Sequence, residues 1–304
     1  MTIRGFMKKL RAAPDRALEM LYGNDDEMLA LGKMLSELMS SKKDIKSLFD
    51  VEYKIFSQFG DDGIIQWLIR NIELKEKTFI EFGVQDYRES NTRFLLMNDN
   101  WIGFVMDGSI KNINKIRRSS YYWKHSLRAE HIFINTENVN QALLIPKLGR
   151  NIGILHIDID GMDYWIWEKI ESINPHIVIL EYNSVFGIDR AITVPYSAGF
   201  IRTKHHHSNL YFGASLRALY ELSSHKGYAF LGCNSAGNNA YFVLREHIHR
   251  HVKEVSLEDG YVESKFRESR DHDGMLNFAQ GEDRLKIIKG LPVINTKNGA
   301  LEYI

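Results

Sequence analysis

Three aspartates, Asp158, Asp160 and Asp163, crowd one short stretch, HIDIDGMDYW. Carboxylates that close repel one another, so a cation, hydrogen bonds or proton uptake must hold them together. In an otherwise apolar context this cluster is the strongest site signal in the chain. Glu181 ends a second apolar run, IVILEYN. If the two runs are neighbours, Glu181 joins Asp158 and Asp160 as an oxygen-rich site for a hard cation such as Mg²⁺. The general base of such a site could be His156, or one histidine of His205, His206 and His207, with His206 the central candidate. Three successive histidines cannot all point one way, so one or two at most reach a site. A second set of candidates lies upstream, where the run carrying Glu81 stops at Gly83 and the run 102–106 stops at Asp107. An acidic residue at the end of a second strand accepts hydrogen bonds from ribose hydroxyls. The gap from Gly83 to Asp107 is 107 − 83 = 24 residues, compatible with that role. Together these residues place a nucleoside-containing cofactor against the Gly83 turn.

Positioning such groups takes parallel strands that deliver their carboxyl ends to one rim. Residues 78–82 read as a buried strand that opens into a glycine turn, with Ser90 and Asn91 as helix N-caps before the apolar run 94–97. Further strands are predicted at 102–106, in HIFINTENV, at 152–159 and at 177–180. Asn135 ends the third of these and could reach an adenine edge. Gln58 belongs to SQFGDDG, read either as a loop capped at Asp61 or Asp62 or as a flap over the ligand edge. Helices are predicted around 64–69, over 164–170 and over 210–225. Two strands around SAGNN read as an antiparallel hairpin. The pattern predicts an α/β, Rossmann-like, doubly wound sheet of seven mostly parallel strands with an antiparallel C-terminal hairpin. Residues 1–50 form a helical arm for packing or dimerisation, 51–250 the main domain and 251–304 a C-terminal cap. The irregular stretch 189–209 reads as a lid or binding loop.

Composition narrows the classes. Lys plus Arg and Asp plus Glu both number 39 in 304 residues, which argues against a dedicated nucleic-acid binder. The single cysteine, Cys233, excludes an intramolecular disulfide and multi-cysteine metal sites, fits a cytoplasmic protein, and reads as a buried small hydrophobe. No apolar run is long enough to span a bilayer, and the basic N-terminus lacks the apolar core of a secretion signal.

The stretches SQFGDDGI, FIEFGVQDYRESNTRFLL, GFVMDGS, HIDIDGMDYWIW and GYAFLGCNSAGNNAYFV resemble class I S-adenosylmethionine-dependent methyltransferases. More narrowly they resemble FkbM-type sugar O-methyltransferases of surface-polysaccharide and natural-product clusters. The glycines depart from G-x-G-x-x-G, since Gln85 and Tyr87 stand where small residues are expected. The resemblance implies S-adenosylmethionine as cofactor, Glu81 and Gly83 near its methionyl part, Asp107 on its ribose, and Asp158 and Asp160 facing the sulfonium and the acceptor. Gln58, Asn91 and Asn135 complete the expected cofactor contacts. The acceptor would be a small molecule or glycan, and the chain a homo-oligomer or a monomer. Two other readings remain: a nucleotide-sugar glycosyltransferase using Asp158-x-Asp160, and a fold member without catalysis.

Overall fold

A computed structural model describes residues 25–304, so the apolar face expected of Phe6, Leu10, Leu18 and Leu21 lies outside the described residues. The strands are β1 (Thr78–Phe82), β2 (Ile102–Asp107), β3 (Leu127–His131), β4 (Asn151–Ile157), β5 (Asn174–Glu181), β6 (Ile192–Thr193), β7 (Tyr228–Cys233), β8 (Asn239–Leu244), β9 (Pro292–Asn295) and β10 (Leu301–Tyr303). Seven of them form one sheet in the order β3-β2-β1-β4-β5-β8-β7. The first five are parallel, whereas β8 runs antiparallel to both β5 and β7. This is the doubly wound, Rossmann-like sheet with a terminal hairpin that the sequence predicts. Its order reverses between β1 and β4, the switch point where such sheets bind ligands.

β1, β4 and β5 lie inside the sheet with both faces covered, which is why they read as nearly unbroken apolar runs. Ile80, Phe82, Leu155, Ile157, Val178 and Leu180 pack into one core, and Phe79, Ile154, Ile177 and Ile179 into the other. β3 sits elsewhere than expected. The strand is LRAEH, and most of the predicted HIFINTENV forms the loop beyond it. β3 is an edge strand whose residues alternate between buried and outward, so Arg128 and Glu130 disguise it.

The helix Asp25–Ser40 packs on the helices Asp61–Asn71 and Arg93–Asp99. Ser36 Oγ donates to Gln66 Oε1 at 2.8 Å, and Gly32 lies so close to Phe94 that a Cβ would come within 2.4 Å of its ring. The N-caps differ from expectation. Gly60 caps the helix Asp61–Asn71, and Asp62 instead accepts the backbone N–H groups of Ile55, Phe56 and Ser57 at 2.7–2.8 Å. Thr92, not Ser90 or Asn91, precedes the helix Arg93–Asp99. The helix predicted over 210–225 begins only at Leu216, where Ser215 accepts from Ala218 N. Beyond 251 the chain returns to the body: β9 and β10 pair with each other, and β9 pairs with β6. Cys233 is buried, and burial pushes its thiol up to about 12.

Candidate active site

A cavity of about 160 Å³ opens at the carboxyl ends of the parallel strands. One wall is the Gly83 turn with Asp107 and Gly108, another the loop 132–135 after β3, and the third the stretch 158–160 after β4. Residues 196–198 and Phe200, from the predicted lid, close it from above. Tyr196 ties that lid across the opening, since its hydroxyl bonds with Thr136 Oγ1 at 2.8 Å and reaches Glu137 at 3.1 Å.

Gly83 is the residue on which these walls meet. Its φ is +71°, and an added Cβ would stand 1.6 Å from the carbonyl oxygen of Asp158. Both the backbone conformation and the space require glycine. Gln85 and Tyr87 also adopt positive φ, at 48° and 64°. Their stabilisation is local: Gln85 N donates to Asp107 Oδ2 at 2.8 Å, and the buried Tyr87 hydroxyl meets Thr92 Oγ1 at 2.9 Å. The turn thus does without a second glycine because Asp107 and Thr92 hold it. Asp107 also accepts from Ser109 N at 2.7 Å and Asn112 Nδ2 at 3.1 Å. With three donors seated on its two oxygens, it retains one accepting position of about four.

Glu81 and His156 lie behind the cavity and do not line it. The register pairs them directly across β1 and β4, with His156 Nδ1 2.9 Å from Glu81 Oε1. Glu81 also accepts from Ser90 Oγ at 2.7 Å, from Asn91 N at 3.2 Å and from Thr92 Oγ1. Asn91 Nδ2 lies 3.3 Å from His156 Nε2. Burial works to raise the Glu81 carboxyl, but the bonds from His156, Thr92 and Ser90 outweigh it and hold the pKa below its usual value. Burial works to lower His156, and the Glu81 contact outweighs that too, so its pKa is raised. The result is a buried ion pair in which the imidazolium donates Nδ1–H to Glu81, and its Nε2–H is accepted by Asn91 once the amide is turned to present Oδ1 in place of Nδ2. It fixes the 83–92 loop to the sheet.

The acidic residues behave otherwise. Asp158, Asp160 and Glu181 bring one oxygen each within 4.8 Å of one another. β4 and β5 are neighbours in register, Ile157 opposite Leu180, which is why the next residues converge. Burial, reinforced by Asp160, pushes the Asp158 carboxyl up to about 6. Burial and then Asp158 push Asp163 up to about 7, although it accepts from Ile159 N and Gly161 N at 3.0 and 3.1 Å. Glu181 is raised well above the usual range by burial and by Asp158 and Asp163, and its Oε2 has no partner among the described residues. A buried, orphaned carboxyl oxygen beside two further carboxylates fits a hard, oxygen-coordinated cation.

Of the residues predicted from sequence, Gly83, Asp107, Asn135, Asp158 and Asp160 line the cavity and Glu181 stands beside it. The Asn135 side chain caps its own loop, accepting from Glu137 N and Asn138 N. Gln58 is exposed and lies away from the cavity lining. His206 is also absent from that lining, its Nδ1 lying 2.7 Å from Ser208 Oγ. Arg202, within the irregular stretch 189–209, is a neighbour of the site that no local sequence signal marks. Its guanidinium stacks 3.6 Å from the centroid of Phe212, contacts Asp160 Oδ1 at 3.4 Å and pairs with Glu268.

No family model matches the chain, and no curated protein matches it. Some solved structures are similar to it. One is the citrinin polyketide synthase CMeT domain, at 11% identity and a TM-score of 0.41 over 62% of this chain and 54% of that one. The chain thus spans about half that domain's length. Another is the O-methyltransferase from Bacillus cereus in complex with SAH, at 12% identity and 0.40 over 77% and 97%. A third is a S-adenosylmethionine-dependent methyltransferase from Clostridium acetobutylicum, at 10% identity and 0.36 over 60% and 90%.

Proposed function

We propose that this chain is an S-adenosylmethionine-dependent O-methyltransferase. In this reading it acts on a sugar hydroxyl of a surface polysaccharide or related glycan precursor, in the manner of FkbM-type enzymes. The observation that supports it most is that Gly83, Asp107 and Asn135 share one cavity with Asp158 and Asp160 at the switch point of the sheet. Asp107 would use its remaining accepting position on the ribose hydroxyls. The loop 132–135 would flank the adenine, and the Gly83 turn would lie along the methionyl part. Asp158 and Asp160 would then face the sulfonium and the acceptor.

Methyl transfer is an in-line displacement, in which positioning supplies much of the gain. Asp158, Asp160 and Glu181 are the residues that would hold a divalent cation such as Mg²⁺. When bound, it would lower the pKa of an acceptor hydroxyl. Arg202 holds the Asp160 side of the cluster through its ion pair. Asp158 is positioned to orient the acceptor and take up its proton, which the engaged nitrogens of His156 are poorly placed to do. Homo-oligomerisation would use the helix Asp25–Ser40, where Leu31, Met34 and Leu38 are exposed. Among the described residues no helix is long and apolar enough to cross a membrane.

Calorimetry separates this reading from its rival. The convergence of Asp158 and Asp160 with Glu181 is also what a glycosyltransferase D-x-D would need to hold a metal diphosphate. Uptake of S-adenosylhomocysteine supports the methyltransferase; uptake of only a nucleotide sugar supports the glycosyltransferase, and uptake of neither a fold member without catalysis. Within the methyltransferase reading, Asp107→Ala should weaken S-adenosylhomocysteine binding by about 1.5–3 kcal/mol, the range for hydrogen bonds to a charged group. An unchanged affinity would remove Asp107 from the cofactor site.

A further inference from the structure

The amino-terminal rim of the same sheet carries a second constellation of metal-ligating groups, independent of the cavity. His176, near the start of β5, is 181 − 176 = 5 residues from Glu181, about 17 Å along the strand. Its Nδ1 lies 2.8 Å from Nε2 of His247, which follows β8, and the two rings are 4.9 Å apart at 58°. Glu246 Oε1 stands 3.9 Å from the same His247 nitrogen. One donor atom from each of these three residues falls within 4.8 Å of the others. On its far side, His176 Nε2 meets Glu76 Oε2 at 3.0 Å, just before β1.

We propose that His176, His247 and Glu246 form a site for a borderline transition-metal ion of the Zn²⁺ class, with a fourth position open to water. Two imidazoles and one carboxylate are a donor set that suits zinc, unlike the all-oxygen cluster at the other rim. Glu76 is the positioning residue. A carboxylate accepting the Nε2–H of His176 leaves the Nδ1 lone pair directed at His247, the arrangement that orients a ligating histidine. Between Nδ1 and Nε2 at 2.8 Å there is room for one proton, donated by His247. Metal binding would displace that proton to Nδ1 of His247, so the ring would stay neutral, Glu246 would offset one charge of the ion and Glu76, beyond His176, the other. The site would clip the entry to β1, the start of β5 and the exit of β8 together.

The test is titration of the chelator-treated, full-length protein with ZnCl₂ in a buffer holding excess Mg²⁺ to occupy the oxygen-rich cluster. One Zn²⁺ per chain is expected at this rim, with micromolar or tighter affinity. His247→Gln should abolish it. Glu246→Gln should weaken it at least tenfold, and since Glu246 is exposed this variant keeps the fold even if His247→Gln does not. Glu76→Gln should weaken it by about 10–100-fold, the range for losing an outer carboxylate partner. A variant with alanine at His206 and His207 tests the other histidine group and should retain the site. The proposal is overturned if no Zn²⁺ binds, if Glu246→Gln binds like the parent protein, or if binding disappears only with the His206 and His207 substitutions.

Discussion

Glu81→Ala is expected to destabilise the protein by about 3–5 kcal/mol, the cost of leaving one partner of a buried ion pair without the other. The side chain holds His156 across the β1–β4 register and accepts from Ser90, Asn91 and Thr92, so its loss strands several buried donors at once. Urea unfolding measures the effect, and a loss below about 1 kcal/mol would contradict a charged pair, since neutral hydrogen bonds contribute about that much each. The pH dependence carries a second signature. Glu81 is depressed from its usual 4.5, so its contribution is present above that value and lost as pH falls through the lower folded value. His156 is raised from 6.5, so its contribution is complete below that value and lost as pH rises through the higher folded one. The deficit of Glu81→Ala should therefore be greatest between pH 4.5 and 6.5 and shrink on both sides.

The second large effect is on turnover. Asp158→Asn keeps the shape of the side chain but removes its charge and its capacity to accept a proton. On the proposed function, methyl transfer should fall by about 10²–10⁴-fold, as when a general base is lost. S-adenosylhomocysteine binding should hardly move, because Asp107 and the Gly83 turn form the other side of the cavity. Equal losses in rate and affinity would instead assign Asp158 a structural part. The raised carboxyls also make a stability statement. Asp158 and Asp163 are pushed up from 3.8 to about 6 and about 7, so between those limits the folded chain binds more protons than the unfolded chain and loses stability as pH rises. A cation bound at Asp158, Asp160 and Glu181 offsets this, so Mg²⁺ should raise the thermal midpoint more at about pH 8 than at about pH 5.5.

Much of the candidate site's placement was legible because strands buried on both faces announce themselves. The runs ending at Gly83, Asp107 and Asp158 are apolar almost to their tips, so each polar terminus marked the rim. The meeting of Glu181 with Asp158 needed one assumption, that two successive parallel strands are neighbours, and β4 and β5 are. Register was harder. Glu81 and His156 are paired across strands far apart in sequence, and no local pattern fixes which residue of β4 faces which of β1. His156 therefore read as a free base, whereas both its nitrogens are engaged. Ser90 and Asn91 read as helix caps because side chains of that kind cap helices, yet the helix starts later, at Arg93, and the Ser90 hydroxyl and the Asn91 backbone N–H donate to the buried carboxylate of Glu81. β3 was displaced for the opposite reason: an edge strand carries charge, and the apolar stretch after it lines a cleft instead of a core.

The contact between Gly83 and the Asp158 carbonyl sets the reach of the site in main chain alone. No rotamer intervenes between the half that would grip the nucleoside and the half that would present the hydroxyl. The working distance is thus independent of side-chain identity in the overlying segment 196–200, and a chain built this way can alter what it admits without losing its aim.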